Sequence, residues 1–65
     1  MNRVNQYRQL AGITQAELAQ LASVTRQTIS LIERDQFNPS ISLAINIAKA
    51  LGTDLNALFW EDSNE

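Results

Sequence analysis

Apolar residues recur along most of the chain at the three- and four-residue spacing of amphipathic helices. The spacing predicts helices over about residues 2–11, 14–22, 25–34 and 40–51, and a fifth helix from about residue 53. No stretch alternates apolar and polar residues with the two-residue period of a strand. We therefore expect a small all-α fold of five short helices.

The second and third predicted helices are joined by a very short turn at Ser23 and Val24. Thr14 and Glu17 have the spacing of a capping box at the start of the second helix, and Thr25 is a good cap for the third. Two helices joined so closely cross at a steep angle, which is the geometry of a helix-turn-helix.

The start of the fourth helix has two interpretations. Either Ser40 caps it, or Asn38 caps it and Pro39 takes the first helical position. Thr53 is expected to cap the fifth helix, with Asp54 placed favourably near that helix's positive end.

The helical periodicity also predicts which side chains form the core. We expect one inward face on each of the first three helices and on the fifth, while Ala19 is small enough for a close approach of the second and third helices. The predicted core residues are Val4, Tyr7, Leu10, Ala11, Leu18, Ala19, Ala22, Ile29, Ile32, Leu55, Leu58 and Phe59.

The third predicted helix has a second face, opposite Ile29 and Ile32. We call it the outward stripe; its residues are Arg26, Gln27, Ser30, Leu31 and Arg34. A helix fits the DNA major groove, where Arg pairs with guanine, Gln with adenine and an apolar side chain with the thymine methyl group. A simple solvated helix face is the ordinary alternative. The short turn and the two capped helices favour a DNA-reading surface.

Composition excludes several other classes of protein. With 65 residues the chain forms one domain at most, and no apolar run approaches the ~20 residues of a membrane span. It contains no Cys and no His, which removes disulfides, zinc sites with those ligands and catalysis by those side chains. We expect no metal, no cofactor, no secretory signal, no enzymatic activity and a cytoplasmic location.

Charge is unevenly distributed along the chain. The net charge is −2, yet the first 60 residues hold all five basic and only four of the seven acidic residues. The remaining three acidic residues fall in 61–65, which we interpret as a short acidic tail after a domain spanning 1–60. A body this weakly basic predicts modest affinity for phosphates.

Three motifs carry a resemblance to a known family. They are the segments Ile13-Thr14-Gln15-Ala16-Glu17-Leu18-Ala19, Val24-Thr25-Arg26-Gln27-Thr28-Ile29-Ser30 and Ile32-Glu33-Arg34. This pattern resembles the Xre/Cro-CI family of helix-turn-helix transcriptional regulators, above all its minimal single-domain, cytolysin-repressor-like members. The resemblance covers about residues 3 to 60 and implies a compact, lambda-repressor-like domain that binds double-stranded DNA.

The resemblance also implies roles for individual residues. In the family, the Gln that opens the second helix contacts a phosphate and braces the recognition helix, and here it is Gln15. The cap of the third helix and the next two residues reach phosphates and base edges, while the following loop approaches the DNA backbone. Together with Arg34, which comes from the outward stripe alone, the predicted DNA contacts are Gln15, Thr25, Arg26, Gln27, Ser30, Leu31, Arg34 and Asn38.

One ion pair is expected to be structural. The family often pairs an Arg of the first helix with a Glu of the third, here Arg8 and Glu33. Each side chain lies beside an apolar face and needs a partner when partly buried.

Two positions depart from the family pattern: Ser23 replaces the usual Gly, and Asp35-Gln36 replaces a Gly or Asn followed by Lys. The second departure removes one positive contact near the expected phosphate path.

Helix-turn-helix proteins usually act as two-fold dimers, so we expect a homodimer on a palindromic operator. The predicted dimer patch comprises Ile41, Ile45, Ala57 and Trp60. The alternative for Trp60 is that it folds back on the small core. Phe37 is expected to anchor the loop after the third helix.

Three functional hypotheses follow. The chain is a sequence-specific regulator, most simply a repressor; or an antitoxin that also binds a toxin; or a protein-interaction module of the same fold without DNA binding. The antitoxin hypothesis requires a toxin-binding surface beyond the motif, and a chain of this length has few residues left for one. The third hypothesis predicts no salt-dependent DNA binding.

Overall fold

The computed structural model describes residues 2–59, so the predicted contact of Trp60 and the acidic tail lie outside the described residues. Within this range the chain forms helices and no strand. The helices are α1 (Val4–Ala11), α2 (Gln15–Ala22), α3 (Arg26–Glu33), α4 (Ile41–Ala50) and α5 (Leu55–Phe59). The predicted all-α fold of five helices is confirmed.

The first four helices end in the same way. Each closes on a residue with left-handed backbone: Gly12 (φ 74°), Ser23 (φ 63°), Asp35 (φ 59°) and Gly52 (φ 69°). After α2, for example, the Ser23 amide donates to the Gln20 carbonyl at 3.2 Å and the Val24 amide donates to the Ala19 carbonyl at 2.9 Å. This paired closure is the Schellman motif, which favours glycine because residues with a Cβ are strained at a positive φ.

Side-chain oxygens cap the starts of α2, α3 and α4. Thr14 forms the predicted capping box with Glu17, and the Thr25 hydroxyl accepts from the Thr28 amide at 3.2 Å. Ser40 accepts from the Leu43 amide at 3.1 Å. Ser40 is therefore the cap of α4, and the alternative with Asn38 as cap is wrong.

The prediction that Thr53 caps α5 is also wrong. The Asp54 carboxylate accepts from the Ala57 amide at 2.9 Å, so Asp54 is itself the cap. The reason is the position of the first helical residue, Leu55: the residue directly before it is the one whose side chain reaches the third amide of the helix.

Helix α1 begins at Val4, two residues later than predicted, because Asn2 and Arg3 form hydrogen bonds with other parts of the fold. The Asn2 side chain accepts from the Val4 amide at 3.0 Å and donates to the Ile32 carbonyl at 2.6 Å. The Arg3 amide donates to the Leu58 carbonyl at 2.8 Å. The start of the chain thereby joins the end of α3 to α5.

The core lies where α2 packs against α3 and α4, with α1 packed on α3 and α5. Its buried residues include the predicted inward residues of α2 and α3. They are Val4, Leu18, Ala19, Ala22, Ile29, Ile32, Ile47, Ala48 and Leu58. Tyr7, Leu55 and Phe59 pack against this cluster from its margin. No helix among residues 2–59 is long and apolar enough to cross a membrane.

Three apolar residues lie outside the predicted packing. Leu10 is 76% exposed and Ala11 is exposed as well, because α1 docks through the side that carries Val4 and Arg8. Leu10 lies six residues after Val4, about 120° away around the helix. Phe37 is exposed and does not anchor its loop on the core.

Candidate nucleic-acid interface

Helices α2 and α3 form the predicted helix-turn-helix. Only Ser23, Val24 and Thr25 separate them. The left-handed Ser23 reverses the chain at once, and Val24 packs against the core from its margin. Ala19 is buried, as a close approach of the two helices requires. The turn is therefore too short to leave a flexible linker residue, and its backbone sets the direction of α3.

Helix α3 is anchored on one side and open on the other. Ile29 and Ile32 are fully buried. On the outward stripe, Arg26, Gln27 and Arg34 are exposed and Ser30 and Leu31 are half-buried. The stripe thus presents mainly polar and basic groups from a helix that the core holds in place.

Arg8 and Glu33 form an ion pair between α1 and α3. The Nε atom of Arg8 lies 2.6 Å from a carboxylate oxygen of Glu33, with side chains 12% and 4% exposed, respectively. A terminal nitrogen of the same guanidinium donates to the Ile13 carbonyl at 2.9 Å. Arg8 therefore has its donors turned inward and does not belong to the outward stripe.

The second carboxylate oxygen of Glu33 receives two amide groups. Asn5 Nδ2 on α1 and Gln15 Nε2 on α2 each donate to Oε1 at 3.0 Å. Glu33 thus joins three helices through one carboxylate. Sequence reasoning missed the contribution of Asn5; the signal was its position three residues before Arg8, which places both on one face of α1.

This environment lowers the pKa of Glu33 from its ordinary value of 4.5. Burial of the carboxyl group raises the pKa, but the hydrogen bonds from Arg8, Asn5 and Gln15, together with the positive charge of Arg8, outweigh that effect. Glu33 is accordingly a carboxylate near neutral pH, and the hydrogen bonds that it accepts from Arg8, Asn5 and Gln15 are stronger because the carboxylate is charged.

Gln15 connects this buried centre to the outward stripe. Its Oε1 atom accepts from Arg26 Nη1 at 3.4 Å. Two of the predicted DNA contacts, Gln15 and Arg26, are therefore brought together by the structure. Thr25 lies beside them, but its hydroxyl is engaged with Thr28 at 2.9 Å.

The other predicted contacts lie toward the far end of α3. Arg34 donates from Nε to the Ser30 carbonyl at 3.4 Å, which directs its side chain along the helix. Asn38 is exposed in the following loop. Asp35, at the turn between them, accepts from Asn2 Nδ2 at 2.8 Å, so the negative charge that departs from the family pattern is held at the start of this loop.

The predicted dimer patch is partly visible. On α4, Ile41 is 73% exposed and Ile45 is 38% exposed, one helical turn apart. Ala57 on α5 is half-buried, and its carbonyl accepts from Arg3 Nη1 at 3.3 Å. Within the described part of the chain, no cluster of three or more His, Cys, Asp or Glu residues is able to hold a metal ion.

Comparison with known proteins assigns the class. The family described as Helix-turn-helix matches residues 4–58, and the chain belongs to this family of transcriptional regulators. The prediction of an Xre/Cro-CI-type regulator from the sequence is confirmed. Proteins of this family act by binding DNA and are in general not enzymes.

Individual relatives match almost the whole chain. It is similar to an uncharacterised HTH-type transcriptional regulator of Methanocaldococcus jannaschii, 39% identical over 64 residues that cover 98% of this chain and 97% of that protein. The regulator YgzD of Bacillus subtilis is 38% identical, with 97% of each chain covered. The immunity repressor protein of Bacillus phage phi105 is 36% identical over 61 residues, which are 94% of this chain and 42% of the repressor.

Proposed function

We propose that the protein is a sequence-specific repressor that binds a palindromic operator as a homodimer, with α3 in the major groove. The observation that carries the proposal is the two-sided character of α3. Ile29 and Ile32 are fully buried, while Arg26 and Gln27 project from the opposite side next to the helix-turn-helix turn. A rigid helix that presents side chains capable of pairing with base edges suits direct readout of sequence.

The proposed contacts divide between bases and backbone. On the outward stripe, Gln27, Ser30 and Leu31 are assigned to the base edges. Arg26, at the start of the same stripe, is assigned to a base edge or a phosphate. Phosphates around them are assigned to Thr25, Gln15, Arg34 and Asn38. Among the described residues, α3 and the residue that follows it offer only Arg26 and Arg34 as exposed cations on this surface, with Asp35 beside them. Because affinity for DNA rises with the number of phosphates that a protein neutralises, one domain alone binds modestly and needs a second copy.

The proposed dimer contact comprises Ile41 and Ile45 on α4 and Ala57 on α5, and Trp60, which lies outside the described residues, is included from the sequence alone. Exposed isoleucines one turn apart on α4 support an isologous apolar contact, since contiguous apolar patches mark interaction surfaces. The role of repressor is supported by similarity to the phage immunity repressor. A cytoplasmic location follows from the proposed action on DNA.

Selection of bound sites from random duplexes, combined with sedimentation of the protein alone, tests this proposal. We expect an inverted repeat with half-sites about one DNA turn apart (roughly 34 Å), bound by a dimer with affinity that falls steeply as salt rises. Failure to enrich any sequence, with no salt-dependent binding, would contradict DNA recognition and favour a protein-interaction module. Enrichment of single half-sites by a monomer would overturn only the dimer.

A further inference from the structure

We propose that Glu33 is a positioning residue for DNA recognition, acting through Gln15 on the guanidinium of Arg26. The inference rests on the proposed function, because it assigns Arg26 to the DNA-contacting surface. The family resemblance already implies that Gln15 braces the recognition helix; the new element is that the carboxylate of Glu33, beyond its ion pair with Arg8, orients the Gln15 amide. The observation behind it is one continuous series of hydrogen bonds from a nearly buried carboxylate to an exposed side chain on the outward stripe.

The series begins at the carboxylate of Glu33, which burial and Arg8 hold in place. The Glu33 side chain is 4% exposed, and Arg8 holds its Oε2 atom at 2.6 Å. The other oxygen, Oε1, faces Gln15 at 3.0 Å. A carboxylate accepts hydrogen bonds and cannot donate them, so only a donor is able to occupy that contact.

This restriction fixes the orientation of the Gln15 amide. If the amide were turned over, its oxygen would face the carboxylate and two acceptors would meet. The nitrogen therefore points to Glu33 and the oxygen points outward to Arg26 Nη1, 3.4 Å away. A neutral amide in place of Glu33 would be able to donate as well as accept, and the preference would disappear.

The outward-facing oxygen then determines how Arg26 is presented. One terminal nitrogen of the guanidinium is engaged by Gln15, and the Nε and Nη2 edge has no partner among residues 2–59. That free edge is a fork of two parallel donors, which fits the paired acceptors of guanine or a phosphate group. Without the Gln15 oxygen, the exposed side chain would sample more orientations and give up more conformational entropy on binding.

Two residues of the chain provide a matched comparison. Asn5 and Gln15 donate to the same carboxylate oxygen at the same distance of 3.0 Å, but only Gln15 also contacts Arg26. Replacing either by Ala removes one hydrogen bond from Glu33. Only Gln15→Ala removes the connection to the outward stripe.

The test is a pair of double-mutant cycles on the full chain, with the duplex selected by the unmodified protein as probe. Gln15→Ala is expected to weaken binding. In the Gln15→Ala background, Arg26→Ala should raise Kd by a smaller factor than it does in the unmodified protein, and the two factors should differ by about threefold to tenfold. The effects of Asn5→Ala and Arg26→Ala should instead multiply independently. If Gln15 and Arg26 also multiply independently, or if Asn5 couples to Arg26 equally, the inference is wrong.

NMR of the free protein gives a second readout that needs no DNA. Glu33→Gln should shift the Gln15 side-chain amide and the Arg26 Nε–H resonances, whereas Asn5→Ala should leave the Arg26 signal in place. An Arg26 signal unmoved by Glu33→Gln would contradict the proposed series of hydrogen bonds from Glu33 through Gln15 to Arg26, which we call the relay. If the unmodified protein binds no duplex, the proposed function fails and this inference falls with it, whereas duplex binding with uncoupled residues contradicts the inference alone.

A scan of every base pair of the selected duplex identifies what the free edge of Arg26 contacts. Loss of preference for guanine at one position in Arg26→Ala indicates a base contact. An even loss across all duplexes, with the salt slope reduced by about one unit, indicates a phosphate. The relay is compatible with both contacts. The coupling of Gln15 with Arg26 tests its outer link, and the response of the Arg26 signal to Glu33→Gln tests its link to the carboxylate.

Discussion

Arg8 and Glu33 connect the first and third helices through a guanidinium and a carboxylate only 2.6 Å apart, both largely removed from water. Removing one partner of such a pair leaves a buried charge without compensation. Arg8→Met should therefore lower the free energy of unfolding by about 3 kcal/mol, a large share of the roughly 3–10 kcal/mol typical of a domain this small. Urea unfolding followed by circular dichroism measures the change.

The double variant Arg8→Met with Glu33→Met is the control for this prediction. Because it leaves no unpaired charge, it should be more stable than either single variant. Single effects that simply add in the double variant would show that the two charges are not energetically coupled.

The same carboxylate predicts a pH dependence. The pKa of Glu33 is lower in the folded protein than its ordinary value of 4.5, so the unfolded chain takes up a proton at that site more readily. The stabilisation is therefore fully present above that value and is lost as pH falls through the lower folded pKa. Between about pH 6 and about pH 3, Glu33→Gln should lose less unfolding free energy than the unmodified protein. Parallel curves for the two proteins would contradict the assignment.

Ser23 introduces backbone strain that a substitution can remove. Its left-handed backbone (φ 63°) suits glycine, and its side chain is exposed at the turn before α3. Ser23→Gly should stabilise the fold by about 1 kcal/mol, which raises the melting temperature by roughly 4–8 °C. Gly12→Ala is the matched reverse: no atom lies within 4 Å of an added Cβ, so its loss of stability reports backbone strain alone. A Ser23→Gly variant that melts at a lower temperature would refute this account of the turn.

Gln27 tests the direct readout of bases. Gln27→Ala should weaken binding to the selected duplex by about 1–3 kcal/mol and relax the preference at one base pair, since the amide no longer pairs with a base edge. Fluorescence anisotropy with single-base variants of the duplex measures both effects. Gln6→Ala, an exposed Gln on α1, is the control and should leave affinity and preference unaltered.

Ile41 tests the dimer surface. Because this side chain is 73% exposed and follows the cap of α4, Ile41→Glu should preserve the fold while placing a charge at the proposed contact. We expect a shift from dimer to monomer in sedimentation velocity and weaker binding to the inverted repeat. Leu10→Glu, on a similarly exposed leucine of α1, should change neither, and a dimer that persists in Ile41→Glu would exclude this surface.

Local rules predict most of the fold. The capping residues Thr14 and Thr25 and the inward residues Leu18 and Ile29 follow from sequence spacing, because each depends on contacts within one helix or between adjacent helices. The prediction that Leu10 lies in the core is wrong. Periodicity says that a helix has an apolar side, but the docking of α1 through Val4 and Arg8 decides how wide the buried side is.

The exposed face of α3 is predictable from the sequence, but the hydrogen bonds that connect α3 to α1 and α2 are not. The outward stripe and the Arg8–Glu33 contact are expected from residue types and from family resemblance. The convergence of Asn5 and Gln15 on Glu33 is not, because it depends on three helices meeting at one carboxylate. The same holds for Asn2, whose contact with the Ile32 carbonyl spans 30 residues of sequence.

Titration of the isotope-labelled protein with the selected duplex, followed through the backbone amides by NMR, shows directly whether α3 contacts DNA. We expect the largest shifts at residues 25–34 and around Gln15, with amides on the α1 surface near Gln6 unaffected. Shifts confined to other helices, or equal shifts with a scrambled duplex, would contradict the claim that α3 distinguishes one base sequence from another.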